Sequence, residues 1–244
     1  MITVQAVPIL SDNYAWLLRC SVTGATAIVD PAEPAPVIAA IEAAGGRLDL
    51  IILTHHHEDH VAGTDAVRAR FGARVVGAAA DAHRLPKLDR GLSEGDRVAV
   101  GNSVGQVLET PGHTIGHISL YFPDGPDGNG VLICADTLFS LGCGRLLEGT
   151  AADMFASLRK FAALPPATLV CCGHEYTASN ARFALHARPD NEALRRFAAG
   201  VTQRRADGLP TVPSLLADEL AANPFLHAAD VAELADLRTR KDQF

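Results

Sequence analysis

Apolar and polar positions divide the chain into two textures. Through the first two thirds, short apolar runs such as "TVQAVPIL", "YAWLLRC" and "TAIVD" alternate with the polar turns "SDN" and "SVTG", which predicts strands. "PAPVIAAIEAAGG" has apolar positions at helical spacing and stops at Gly45-Gly46, so it predicts a helix. "LDLIIL" is a continuous apolar run, the pattern of a strand buried on both faces. "TDAVRARFG" predicts a second helix and "ARVVGAA" a further strand. "DRVAV", "VGQVLET", "HISLYFP" and "VLICADT" then follow between Gly- and Pro-rich turns, as antiparallel strands do. "TAADMFASLRKFAALP" predicts a helix opened by a Thr150–Asp153 capping box and ended at Pro165, and "ATLVCC" the last strand. From Tyr176 to Phe244 only helical spacing is visible, in "ASNARFALHA", "NEALRRFAAGVTQRRA", "PSLLADELA" and "AADVAELADLRTR". The pattern predicts a mixed α/β domain over residues 1–174 and a small all-helical domain over 175–244.

Composition narrows the class without choosing a function. A chain that is 48% hydrophobic and 20% charged reads as a soluble globular protein. Its net charge of −7 argues against nucleic acid or an anionic membrane as the main partner. Five cysteines, two of them adjacent as Cys171-Cys172 in an apolar run, suggest no disulfide framework and fit a reducing cytosol. The segment "MITVQAVPIL" has no basic region of a signal peptide, and no apolar stretch approaches the ~20 residues of a membrane helix. A cytoplasmic monomer is expected.

The candidate chemistry sits at strand ends. "THHHEDHVAG" follows the buried run "LDLIIL" and offers His55, His57, Asp59 and His60. His113 in "TPGHT", Asp136 closing "VLICAD" and His174 after "ATLVCCG" each also follow an apolar β run. Alone, His113 or Asp136 would read as a turn residue. Together with "HxHxDH" they make five imidazoles and two carboxylates, too many for one tetrahedral ion and suited to two divalent ions sharing a carboxylate. The N/O donors match Zn(II), with Fe(II) or Mn(II) as the other choices. His56 alternates away from its neighbours and reads as structural, and His117 as packing near the site. His83, His186 and His227 belong to no constellation.

"HHHEDH" resembles the signature of the metallo-β-lactamase superfamily, whose fold is an αβ/βα sandwich. "SDNYAWLL", "TPGHTIGHISLY", "ADTLFSLGCGRLLEGT", "CCGHEYTASNARFA", "PTVPSLLADELAANPFL" and the terminal "LRTRKDQF" resemble, more closely, the hydroxyacylglutathione hydrolases (glyoxalase II). The resemblance implies that one ion is held by His55, His57 and His113, the other by Asp59, His60 and His174, with Asp136 bridging. It implies hydrolysis of S-(2-hydroxyacyl)glutathione, mainly S-lactoylglutathione, by a metal-bridging hydroxide that Asp59 also orients. It implies glutathione contacts from Arg145, Tyr176, Arg238 and Lys241, and Leu147 stands where some members carry a tyrosine. Cys143, in an apolar, Gly-flanked setting, reads as packing rather than as a nucleophile. The rival readings are another enzyme of the superfamily, a persulfide dioxygenase, lactonase or β-lactamase, and a module in which metal only staples the fold.

Overall fold

The computed structural model describes residues 1–244, which form two compact units: residues 1–109 with 116–133, and residues 110–115 with 134–244. The first unit holds β1 (Ile2–Ile9), β2 (Asn13–Cys20), β3 (Thr26–Val29), α1 (Pro34–Ala43), β4 (Leu50–Leu53), α2 (Glu58–Val61), α3 (Thr64–Phe71), β5 (Arg74–Ala78), β6 (Arg90–Leu92), β7 (Arg97–Val100), β8 (Ser103–Glu109) and β9 (Ile118–Phe122). β10 (Val131–Ala135) begins in this unit and ends in the other. β1 to β6 make one six-stranded sheet in sequential order, antiparallel as far as β3 and parallel beyond it.

Local chemistry accounts for these elements. All four residues of β3 and of β4 are buried, as strands covered on both faces must be. The β3–β4 register pairs Val29 with Ile52, so the chain leaves both strands at neighbouring points of one sheet edge. α3 stops where Gly72 takes a left-handed φ of 67° and closes its last turn onto the Arg68 carbonyl. β7 to β10 form an antiparallel ladder, as their pattern predicts.

The second unit carries β11 (Leu138–Phe139), β12 (Gly142–Cys143), α4 (Ala151–Ala162), β13 (Leu169–Cys172), α5 (Thr177–Ala187), α6 (Glu192–Ala206), β14 (Ser214–Leu215), α7 (Leu216–Ala222) and α8 (Val231–Asp242). The Thr150–Asp153 capping box is present, both bonds made. The four predicted C-terminal helices form, but the strandless reading of 176–244 needs one correction. Ser214 and Leu215 pair with Val170 and Leu169 of β13. A two-residue strand has no periodicity to read, and its partner supplies the pattern.

Glu219 of α7 is fully buried. Its carboxylate accepts from the Ser140 and Ser214 hydroxyls at 2.7 Å, the Leu141 N–H at 2.8 Å and the Asn223 amide at 3.1 Å. This network anchors the β11–β12 hairpin, in which Leu141 takes a φ of 58°, to α7.

Candidate active site

In the first unit the donors leave the carboxyl end of β4. Thr54 follows that strand, and Asp30 follows β3 beside it. Asp30, buried at a φ of 51°, accepts the Thr54 N–H at 2.9 Å and the Thr54 hydroxyl at 2.6 Å. Its Oδ2 also lies 2.9 Å from His60 Nδ1. Because the Thr54 hydroxyl spends its proton on Asp30, it accepts from His55 Nδ1, 3.0 Å away. Both rings therefore carry the proton on Nδ1, which makes Nε2 the electron-pair donor of each. His55 Nε2 lies 3.1 Å from His57 Nδ1, and His60 Nε2 lies 3.9 Å from the Asp59 carboxylate. The unit thus presents two donor pairs, His55 with His57 and Asp59 with His60.

Asp30, His55 and His60 also offer ligand atoms within 4.8 Å of one another. Thr54 and His60 already engage Asp30 in three hydrogen bonds, which suits it to orienting His60 rather than binding metal. Asp59, at the first turn of α2, is held by Asn13, whose amide donates to the Asp59 carbonyl at 3.1 Å and to its carboxylate at 3.0 Å. His117 stacks on His55 with ring centroids 4.9 Å apart, in the packing role expected of it. His56 turns the other way, to Asp81 at 3.2 Å, and Arg84 bonds the same carboxylate at 2.6 Å.

In the second unit Asp136 follows Ala135, which has a φ of 39°, and is buried. Its Oδ2 lies 3.5 Å from His113 Nε2 and 3.3 Å from His174 Nε2. One carboxylate therefore stands between two imidazoles. His113 Nδ1 donates to the Arg145 carbonyl at 2.9 Å, which again leaves Nε2 as the donor atom. The segment carrying that carbonyl is tied down by Leu147 and Glu148 N–H groups on the His113 carbonyl, both at 3.3 Å. Gly144 is required here: a Cβ at this position would lie 2.0 Å from the Asp136 carbonyl oxygen.

The residues expected to meet glutathione all lie in this second unit. Tyr176 is partly exposed and stacks on His174, centroids 4.5 Å apart and planes 9° apart, with Phe139 edge-on to both. Arg145 is exposed, and so is Leu147. Arg238 is buried: it donates to the Cys143 carbonyl at 2.8 Å, pairs with Asp242 at 2.9 Å and lies over the Phe225 ring. Lys241 donates to the Ser179 carbonyl at 3.2 Å, and its Nζ lies 5.4 Å from the Phe183 ring centroid. Burial first, then the positive charges of Arg238, Arg182 and Arg145, brings the Lys241 ammonium down to about 8.

All five cysteines are free thiols and none joins the donor sets. Cys143 is buried, which pushes its thiol up to about 11, the state of a packing residue rather than a nucleophile. Sequence reading missed Asp30, Asn13 and Arg182. A signal exists for the first two: Asp30 follows the apolar run "TAIV" and Asn13 comes shortly after "TVQAVPIL", as the recognised donors follow theirs.

Residues 10–174 match the family described as the metallo-beta-lactamase superfamily, and residues 175–244 match the hydroxyacylglutathione hydrolase C-terminus. A hydroxyacylglutathione hydrolase of Acidiphilium cryptum is 56% identical over 242 residues, 99% of this chain and 97% of that protein. One from Rhodospirillum rubrum is 49% identical over 99% of this chain and 98% of its own. Among solved structures, ETHE1 from Myxococcus xanthus superposes with a TM-score of 0.71 at 25% identity, covering 97% of this chain and 89% of that one. BJP-1, a subclass B3 metallo-beta-lactamase of Bradyrhizobium japonicum, shares the fold at a TM-score of 0.63 and 21% identity, covering 98% and 89%. The metallo-β-lactamase fold with a helical C-terminal region, expected from the sequence, is the fold of this chain.

Proposed function

The chain belongs to the hydroxyacylglutathione hydrolase family of the metallo-β-lactamase superfamily, and on that premise we propose that it hydrolyses S-(2-hydroxyacyl)glutathione, S-lactoylglutathione foremost, to the 2-hydroxy acid and glutathione. The observation that carries this reading is the way the donors divide. The first unit offers two donor pairs, and the second offers two imidazoles around one carboxylate. Each pair lacks a third donor, and the second unit has one histidine for each, with Asp136 left to bridge.

In this reading one ion is held by His55, His57 and His113 and the other by Asp59, His60 and His174. The donors fit two divalent borderline ions: imidazole and carboxylate atoms, no thiolate, and three rings already set with Nε2 as donor. Zinc is the metal proposed, with iron or manganese as the other candidates. Two such ions would supply a hydroxide nucleophile at neutral pH and a Lewis acid for the thioester carbonyl.

The chain's own residues do the rest. Asp59, steadied by Asn13, orients the nucleophile through its carboxylate. Tyr176 and Lys241 bind the glutathione portion, so that residues 175–244 serve as the substrate-binding segment beside a catalytic domain over 1–174. An acid–base residue for the leaving thiolate is not required, because a thiol of pKa near 8.5 leaves readily as its anion.

The test is a thioester-cleavage assay on S-lactoylglutathione with metal analysis of the same sample. Turnover with two ions per chain is expected. Intact thioester with fully loaded protein would overturn the reading, and oxygen consumption without thioester cleavage would point to another branch of the superfamily.

A further inference from the structure

Arg238, Arg182 and Arg145 bring three further positive charges to the surroundings of the Lys241 ammonium in the second unit. Arg238, Lys241 and Asp242 lie in the last turns of α8, Arg182 lies on α5, and Arg145 lies just after β12. The Lys241 ammonium rests on α5 through the Ser179 carbonyl and the Phe183 ring. Arg182 is one turn beyond Ser179 and adjacent in sequence to Phe183, so it stands at the height of that ammonium on the same helix. Asp242 is the anion of the group, and it is committed to Arg238 at 2.9 Å.

The four cations are not equivalent. Two N–H groups of Arg238 donate to the Cys143 carbonyl and to Asp242, and its side chain is buried. It holds α8 against β12, and its burial keeps that guanidinium against the Cys143 carbonyl. Arg182 is exposed, and its bond to its own helix, to the Ala178 carbonyl, is long at 3.5 Å. Arg182 is therefore, like Arg145, an exposed guanidinium among the charges around Lys241, and it is the one carried by the helix on which that ammonium rests. The mutual repulsion of these charges, felt at Lys241, is what a bound anion would relieve.

We propose that Arg182 is a further binding residue for the glutathione moiety, gripping one of its two carboxylates together with Lys241. The inference rests on the glutathione-thioester reading for the identity of the anion. A guanidinium holds a carboxylate through two parallel N–H bonds, which an ammonium alone cannot do. Its contact is remote from the thioester carbon, so it acts equally on ground and transition states and belongs in KM rather than in kcat.

The experiment compares wild type, Arg182→Gln and Arg182→Lys. It uses steady-state kinetics on S-lactoylglutathione and on a lactoyl thioester of a small neutral thiol, with calorimetric binding of glutathione itself. In Arg182→Gln, KM and the glutathione Kd should each rise about three- to tenfold, the range for a charge-assisted bond at a solvent-open site. The kcat and the rate on the neutral-thiol thioester should stay unchanged, and Arg182→Lys should recover part of the loss. The Arg182→Gln effect should shrink in high salt. Unaltered KM and Kd in Arg182→Gln would overturn the proposal, as would an equal loss on both thioesters. Wild type that binds glutathione but leaves the thioester intact would sink the hydrolase reading alone, because the Kd comparison still decides the role of Arg182.

Discussion

His60 Nδ1 lies 2.9 Å from the carboxylate of Asp30, a residue that the parallel pairing of β3 and β4 brings beside the donor loop. The contact fixes which nitrogen of His60 faces a metal. Asp30→Asn keeps the volume and tolerates the left-handed backbone of this position, since asparagine visits that region readily. It replaces one acceptor oxygen by an N–H₂, so Thr54 and His60 no longer both find an acceptor. Metal affinity should fall about ten- to a hundredfold, the usual loss for an orienting partner of a ligand histidine. Competition against a graded chelator measures it, and equal retention by Asp30→Asn and wild type would remove Asp30 from the site.

Asp136 stands between His113 and His174, at 3.5 and 3.3 Å. If it bridges two ions, Asp136→Ala releases both together, whereas His113→Ala weakens mainly one. Metal content per chain after gel filtration reads this directly. Two ions retained in Asp136→Ala would refute the bridging role.

The donors were legible because each closes an apolar run: His55 shortly after β4, Asp136 after β10, His174 after β13. Asp30 closes β3 in the same way, but a lone aspartate after a strand has the pattern of a turn residue. Its role depends on the Val29–Ile52 register, which is a relation between strands rather than a local pattern. Arg238 and Lys241 lie one turn apart on α8, as their spacing requires. What spacing could not convey is that Arg238 is buried on the carbonyl of Cys143, 95 positions earlier, while Arg182 stays exposed. β14 was invisible for a related reason: two residues of strand exist only because β13 offers an edge.

Lys241 predicts a pH dependence. Its ammonium, brought down to about 8, is charged below that pH and neutral above it. A bound carboxylate favours the charged form, so substrate binding should weaken as pH rises through about 8, long before an ordinary lysine near 10.4 would titrate. KM for S-lactoylglutathione should climb above that point in wild type and stay flat in Lys241→Arg, whose charge persists. Stability moves the other way. The unfolded chain binds a proton at this lysine that the folded one has lost between about 8 and the ordinary lysine value, so this group adds stability as pH rises across that window. Parallel KM profiles for wild type and Lys241→Arg would contradict the assignment.

Glu219 predicts a sharp difference between two substitutions. One carboxylate oxygen accepts from the Ser140 and Ser214 hydroxyls, the other from the Leu141 N–H and the Asn223 amide. Burial raises its pKa, and those four bonds oppose the rise. A glutamine can place its oxygen on the Leu141 side and its N–H₂ toward the two hydroxyls, which rotate to accept. Every partner then remains satisfied, so Glu219→Gln should cost less than about 1 kcal/mol. Alanine strands the Leu141 N–H and the two serine hydroxyls, while Asn223 keeps the Phe139 and Gly142 carbonyls, and it opens a cavity, so Glu219→Ala should cost about 3–5 kcal/mol. Because the raised pKa makes the folded state hold a proton longer than the unfolded chain, the carboxylate's contribution declines as pH rises above the ordinary glutamate value. Glu219→Gln should flatten that decline. Urea unfolding of the three proteins at two pH values decides the matter. Equal destabilisation by Gln and Ala would mean that the charge, not the four hydrogen bonds, holds the β11–β12 hairpin in place.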